Sequence, residues 1–193
     1  MNALKNSGAD TAKAWKEDYD TTPYYTNKPD WDALGALLLF ATGKLLKVRF
    51  PKDYKKNTNY YEVLKIMGID KTQYKQWSLF SDVCYYIPIE ERLVFRYPMP
   101  NGQENMLSTI SCLKYELTQI NEASWKADET TILDWVNTEG YPADGQIGGN
   151  GLLQFLPRRK VYSTESLARF AFSILWQAVS FAEKEQVAIV FDY

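Results

Sequence analysis

The side chains that could do chemistry in this 193-residue chain are carboxylates, amines, guanidinium groups, phenols and two thiols, because the chain contains no histidine. Without histidine, a serine or cysteine nucleophile has no imidazole base beside it. The histidine-containing zinc motifs of metalloproteases and nucleobase deaminases are excluded as well. Any enzyme chemistry must therefore use Asp and Glu, or Lys, Tyr and Arg, or a lone cysteine.

The carboxylates do not form a pattern that predicts catalysis. Acid–base chemistry by paired acids needs two carboxyl groups that face each other across a pocket, with their pKa values pushed apart. Asp128, Glu129 and Asp134 fall on one predicted helix, and no spacing singles out a facing pair. The two thiols, Cys84 and Cys112, are too few to complete a zinc site. We therefore predict no catalytic residue, no cofactor and no structural metal.

A glycine-rich stretch, YPADGQIGGNG, occupies residues 141–151. A phosphate-binding P-loop needs Lys and then Ser or Thr after its last glycine, but Leu152 and Leu153 follow Gly151. A dinucleotide fingerprint needs a strand before the glycines, whereas a predicted helix precedes this stretch. We therefore expect a surface connection, with residues 144–150 mobile in the free protein and their neighbourhood used for docking.

Charge is segregated along the chain, and one acidic stretch also contains aromatic residues. Between positions 122 and 144 there are six acids and a single Lys. Solvated helix faces and loops would explain this pattern. The functional interpretation is a surface that docks a basic partner, because complementary charge raises association rates and selects the partner. The residues assigned to that binding surface are Asp134, Trp135, Glu139, Tyr141 and Asp144.

A basic stretch lies earlier in the chain, with Lys or Arg at six positions between 44 and 56 and one acid, Asp53. The net charge of the whole chain is −2, which gives no global field that favours nucleic acid or an anionic membrane. We therefore expect neither nucleic acid nor a membrane as partner. A helical DNA-binding regulator that uses this stretch is kept as a second alternative.

Helices are the main elements predicted to position these residues. Asp30 is the expected N-cap of an apolar helix that ends near Gly43, a helix too short to span a membrane. A shorter helix follows, with Asn57 or Thr58 as its cap and Gly68 at the left-handed position after its end.

The middle of the chain predicts two more helices and a strand. Residues 70–86 form a third helix in a hairpin with the second, because apolar side chains recur there at helical spacing, at Tyr74, Trp77, Phe80 and Cys84. Residues 91–98 alternate in polarity, which is typical of a half-buried strand near a sheet edge. Residues 104–120 predict an amphipathic helix.

The C-terminal third predicts two helices and a strand. The first of these helices runs from its cap at Asp128 to Gly140. The second begins at Ser163 or Thr164 and is apolar on nearly all sides, so it should lie at the centre of the domain with Trp176 buried. Residues 186–193 are rich in β-forming side chains.

These elements predict a single compact α+β domain over residues 1–193, mainly helical, with a small sheet built from segments near Leu93 and Val187. Residues 1–30 are polar, and we expect a loosely packed segment there with one weak helix over residues 11–19. No basic region precedes an early apolar stretch, so we expect no secretory signal, a cytoplasmic location and two free thiols.

The functional hypothesis is a non-enzymatic protein that binds another protein. We expect an inhibitor of a basic toxin or enzyme, such as a bacterial toxin-neutralising (immunity) protein or a phage protein that blocks host defence. The aromatic share of 15% fits a binding surface, although large rings also fill cores. The alternative is a small enzyme or nucleotide-binding protein that uses carboxylates and Arg, with the polar side of the last helix in its cleft.

Overall fold

The computed structural model describes residues 6, 20, 28–70, 77–98, 102–144 and 161–191. These residues group into two compact units. The first unit contains residues 77–98, 102–119 and 178–191, and the second contains residues 28–70, 120–144 and 161–177. The weak helix expected over residues 11–19 lies outside the described residues. The expectation of a single domain stays a prediction.

The described residues form five α-helices and six short strands. The helices are α1 (Trp31–Leu45), α2 (Tyr60–Ile66), α3 (Ile110–Ala123), α4 (Glu129–Thr138) and α5 (Thr164–Glu185). The strands are β1 (Asp53–Lys55), β2 (Val83–Ile87), β3 (Val94–Pro98), β4 (Glu104–Thr109), β5 (Val161–Ser163) and β6 (Ile189–Val190). The predicted α+β class with helix predominating is confirmed.

A four-stranded sheet in the order β3-β4-β2-β6 belongs to the first unit. Strands β2 and β4 are parallel, whereas β3 pairs with β4 and β6 pairs with β2 in antiparallel fashion. The predicted strand segments near Leu93 and Val187 both join this sheet, at its two edges. The edge position of β3 suits Pro98, which has no backbone N–H to donate to a further strand.

The helix predicted over residues 70–86 is wrong wherever the structure describes it. Ser78–Phe80 form a single 3-10 turn, and Val83–Ile87 form β2. The helical spacing of the aromatic residues is real, but β2 consists of β-branched, aromatic and thiol side chains that suit a strand. Pairing with β4 and β6 then decides the outcome, so there is no helical hairpin across these described residues.

The helix predicted to begin at residue 104 begins instead at Ile110, because Glu104–Thr109 form β4 between two partner strands. The Thr109 hydroxyl accepts a hydrogen bond from the Cys112 backbone N–H (3.2 Å), which is the geometry of an N-cap. The capping residue was therefore present in the sequence, five positions after the predicted start.

Helix α1 is the apolar centre of the second unit. Asp30 caps it as predicted, since its carboxylate accepts a hydrogen bond from the Ala33 N–H (2.9 Å). All side chains from residue 33 to residue 43 are buried. Two helix ends elsewhere also match their predicted signals, because Gly68 (φ +76°) follows α2 and Gly140 (φ +64°) follows α4.

Helix α5 carries the largest set of buried side chains near the C-terminus, as its apolar pattern predicts. Residues up to 177 belong to the second unit and the remainder to the first. Trp176 is only half-buried, so the prediction of a buried ring is wrong there. Phe172, one turn earlier, is fully buried and occupies the core position instead.

Candidate functional site

Arg169 on α5 is the centre of a charged cluster in the second unit. Its guanidinium group donates to the carboxylates of Glu139 and Glu165, each at 2.7 Å. The same group lies over the rings of Trp125 and Trp135, 5.9 and 5.6 Å from their centroids. Two acids already balance this cation, so the cluster ties α5 to the end of α4 rather than offering a free charge to a substrate.

The turn after α4 holds Glu139 in place. The Ser166 hydroxyl donates to Glu139 and accepts a hydrogen bond from the Gly140 N–H (2.9 Å). A Cβ atom at Gly140 would lie 2.7 Å from the Cβ of Phe170, and the positive φ angle also disfavours other residues. This position therefore requires glycine, and the close approach fixes Glu139 beside Arg169.

Aromatic rings form a continuous stack beneath α4. Phe40 and Trp125 stack with centroids 4.6 Å apart, and Trp125 meets the edges of Trp135 (4.9 Å) and Phe172 (5.2 Å). Trp176 stacks on Phe172 at 5.8 Å and ends the row. Such pairs add to the stabilisation from ring burial.

Tyr141 belongs to the core of the second unit and is 3% exposed. Its hydroxyl lies 2.6 and 2.7 Å from the two carboxylate oxygens of Asp30, the residue that also caps α1. Its ring packs edge-on against Tyr162 and Phe170. The phenol is therefore engaged in holding the start of α1.

The five residues predicted to bind a partner are thus in different environments. Trp135 and Tyr141 are buried, and Glu139 is paired with Arg169. Asp134 is exposed, and the side chain of Asp144 lies outside the described residues. Residues 145–150, expected to be a mobile docking loop, lie outside them too. The assignment of these residues to a binding surface stays a prediction, and Asp134 is the member whose exposure suits it.

The exposed side of α4 forms what we call the acidic face: Asp128, Glu129, Leu133 and Asp134. Its three carboxylates are exposed, and Leu133 is 39% exposed. Glu129 and Leu133 are one turn apart on the same side of the helix. The indole nitrogen of the half-buried Trp176 lies 3.5 Å from Glu129, so an aromatic edge borders the face. Asp128 also caps α4 through the Thr131 N–H (2.8 Å).

A buried carboxylate in the first unit was not foreseen from the sequence. Glu116 on α3 is 2% exposed and accepts hydrogen bonds from the Ser78 N–H, the Ser78 hydroxyl (2.8 Å) and the Leu79 N–H (3.0 Å). Burial raises the pKa of Glu116. A Glu on the apolar side of an amphipathic helix was the available signal, and it holds the 3-10 turn in place.

Cys112 lies against the same carboxylate, with its Sγ 3.4 Å from a Glu116 oxygen. Burial, and secondly the charge of Glu116, raise the pKa of the Cys112 thiol to about 11. The thiol therefore stays protonated at neutral pH, which is the opposite of an activated nucleophile. Both cysteines are free, as expected, with Cys84 partly exposed.

A cavity of about 310 Å³ in the first unit contains carboxylates that could suggest acid–base chemistry. Its lining includes Glu90, Ser111 and Glu183. Glu183 is paired with Lys114 (3.3 Å), and the Ser111 hydroxyl donates to the Ile89 carbonyl (2.7 Å). Both groups are thus already engaged in contacts within the fold.

Comparison with protein-family models, with curated proteins and with solved structures returned no match. In the part of the chain that the structure describes, no group of three or more potential ligands could hold a metal ion. No helix within the described ranges combines the length and the apolar character that crossing a membrane requires.

Proposed function

We propose that the chain is a non-enzymatic, cytoplasmic inhibitor that binds a basic protein through the acidic face. The observation that supports this most is the composition of the face. Leu133, an apolar side chain 39% exposed, lies on α4 with the exposed acids Glu129 and Asp134, and the exposed Asp128 caps the same helix. Protein interfaces combine an apolar centre that excludes water with a polar rim.

The packing beneath α4 supports the same proposal. Ile132 and Trp135 are buried on the inner side of the helix, and Arg169 ties its C-terminal end through Glu139. The face is therefore presented by a fixed element, so little order has to be imposed when a partner binds. The half-buried Trp176 supplies a ring at the border, and Trp is enriched among residues that dominate binding energy.

The charge of the face defines the class of partner. Three carboxylates attract a surface rich in Lys and Arg, and they accelerate encounter more than they slow dissociation. A basic toxin or a nucleic-acid-processing enzyme has such a surface. We therefore propose a toxin-neutralising or defence-blocking inhibitor.

Site-specific photo-crosslinking tests the proposal. A photoreactive amino acid at position 133 should capture one basic protein in host cells, and the same amino acid at position 66 should not. Ile66 is the matched control, because it is an 85% exposed apolar residue on α2. Equal capture from both positions would indicate non-specific adhesion and would contradict the proposal.

Association and dissociation rates measured with the purified partner then separate the contribution of charge from that of the apolar side chain. Asp134→Lys should lower the association rate constant about tenfold at low salt, because steering depends on charge. Leu133→Ser should mainly raise the dissociation rate. Glu104→Lys is the control, since Glu104 is an exposed acid on β4 in the first unit. Unchanged kinetics for Asp134→Lys and Leu133→Ser would refute the role of the acidic face.

A further inference from the structure

A second charged surface lies on the second unit, in what we call the basic segment, residues 47–56. Its five cations are all exposed: Lys47, Arg49, Lys52, Lys55 and Lys56. Within the described ranges, none of these five forms an ion pair. Cations elsewhere do, such as Arg96 with Glu104 and Lys184 with Glu185. The basic segment therefore presents unneutralised positive charge.

Two inward-facing rings hold the basic segment against α1. Phe50 packs edge-on against Phe40 with centroids 5.4 Å apart, and its ring leaves no room for a Cβ atom at Gly43. Tyr54 is 2% exposed. Because the rings turn inward, the exposed side chains of the segment are the cations, Asp53 and Pro51.

The backbone of the basic segment is also fixed. The Lys52 carbonyl accepts a hydrogen bond from the Thr164 N–H (2.8 Å). The Asn57 N–H, just beyond the segment, donates to the Asp32 carboxylate (2.8 Å). Between these points β1 pairs with β5. The cations thus extend from a preformed support, and binding does not need to order the chain.

We infer that the basic segment binds the phosphate backbone of nucleic acid, without reading base sequence. Binding to a backbone needs a row of cations that displace condensed counterions, and nothing apolar. A duplex carries one charge per about 1.7 Å of its axis, so separate cations each find a phosphate without one fixed geometry. A protein partner would require an apolar centre, which the exposed side chains of this segment lack.

The net charge of −2 argued against nucleic acid when averaged over the chain. The structure changes the argument, because affinity for phosphates depends on local cations that are exposed and unpaired. The acidic face carries compensating negative charge on α4, whereas the basic segment lies outside the helices. The two surfaces of the second unit thus have opposite electrostatic preferences, and the inference is independent of the proposed function.

Salt titration of DNA binding tests the inference. Fluorescence anisotropy with a labelled 20-base-pair duplex of mixed sequence should give a linear fall of log K with log salt. Five phosphate contacts predict a slope of about −4.5, which corresponds to a loss of about 500-fold between 50 and 200 mM NaCl. A second duplex of unrelated sequence should bind equally well.

Two variants make the test specific. Replacing Lys55 and Lys56 with Gln should reduce the slope to about −2.7 and the loss over the same salt range to about 40-fold. Both residues are exposed, so the melting temperature should not change. Lys184→Gln is the control, because Lys184 is 80% exposed and lies outside the segment. It should leave the slope unchanged.

Several results would overturn the inference. One is a slope shallower than −2, and another is an equal slope for the double variant and the parent. Vesicles of phosphatidylserine and phosphatidylcholine test whether the segment binds an anionic membrane instead, because the exposed apolar residues Leu46 and Val161 adjoin it. Binding to polyglutamate tests whether the segment binds an acidic protein instead. If either binds as tightly as DNA at equal charge concentration, the assignment to nucleic acid is wrong.

Discussion

Glu139 in the second unit and Glu116 in the first are both largely withdrawn from water, but they are stabilised in different ways. Glu139 faces a cation, Arg169, at 2.7 Å, and its side chain is 19% exposed. Glu116 is 2% exposed and is held by backbone N–H groups and a hydroxyl, with no Lys or Arg among its described neighbours. The first arrangement should respond to salt and the second to pH.

The two carboxylates also have different structural roles. The pairing of Glu139 joins two helices by charge, and part of its energy is lost to solvent screening because the pair is partly exposed. The bonds to Glu116 satisfy donors of a 3-10 turn that would otherwise be buried without acceptors. Removing the Glu116 carboxylate should therefore cost more stability than removing the Arg169 cation.

The largest effect is expected for Glu116→Leu. This change leaves the Ser78 and Leu79 N–H groups and the Ser78 hydroxyl without their acceptor, and each buried unsatisfied group costs about 1–3 kcal/mol. We expect a loss of about 3–5 kcal/mol in the free energy of unfolding, measured by urea denaturation. Ser78→Ala, which removes only the hydroxyl, should cost far less. Similar costs for the two variants would contradict the proposed role of Glu116.

A smaller effect is expected for Arg169→Met, which keeps the aliphatic stem but removes the cation. Two carboxylates then lie close together without a counter-charge, and we expect a cost of about 1–3 kcal/mol after allowing for solvent screening. The cost should shrink at high salt, whereas that of Glu116→Leu should not. Lys184→Met is the control and should have no measurable effect. A salt-independent cost for Arg169→Met would remove the contrast between the two sites.

The smallest effect is a pH dependence that Glu116→Gln should abolish. The folded state raises the pKa of Glu116, so it holds the proton more tightly than the unfolded chain does. The contribution to stability is therefore complete below the ordinary pKa of Glu and is lost as pH rises through the raised value. The Gln variant, whose amide cannot accept all three bonds, should be less stable by about 1–2 kcal/mol near pH 4.

Denaturation of both proteins at a series of pH values from about 4 to 8 measures this difference. The gap between the parent and the Gln variant should narrow as pH increases. A gap that is constant, or that widens with pH, would show that Glu116 does not titrate as its burial implies.

Local signals in the sequence predicted several boundaries correctly. Asp30 and Asp128 cap their helices, and Gly68 and Gly140 follow helix ends, because each of these roles depends on a few neighbouring residues. Strand β2 was missed because its conformation depends on β4 and β6, which are distant in sequence. Helical periodicity within residues 77–86 was outweighed by that pairing.

The same distinction explains what the sequence could say about the candidate site. Asp134 was assigned to a surface because of its charge, and it is exposed on α4. The burial of Trp135 and Tyr141 could not be predicted in this way, because the groups that cover them come from distant positions. Phe172 packs on Trp135, and Asp30 binds the Tyr141 hydroxyl. An aromatic side chain in an acidic stretch therefore gives no indication of its own exposure.

The hydrogen bond between Tyr141 and Asp30 joins positions 111 residues apart, and this has a consequence for synthesis on the ribosome. Each unit is assembled from separate stretches of the chain, and α5 contributes residues to both. Asp30, at the start of α1, emerges early and cannot make this bond until residue 141 has been synthesised. The second unit therefore depends on contacts between residues that are far apart in sequence, which slows folding relative to a unit built from local contacts.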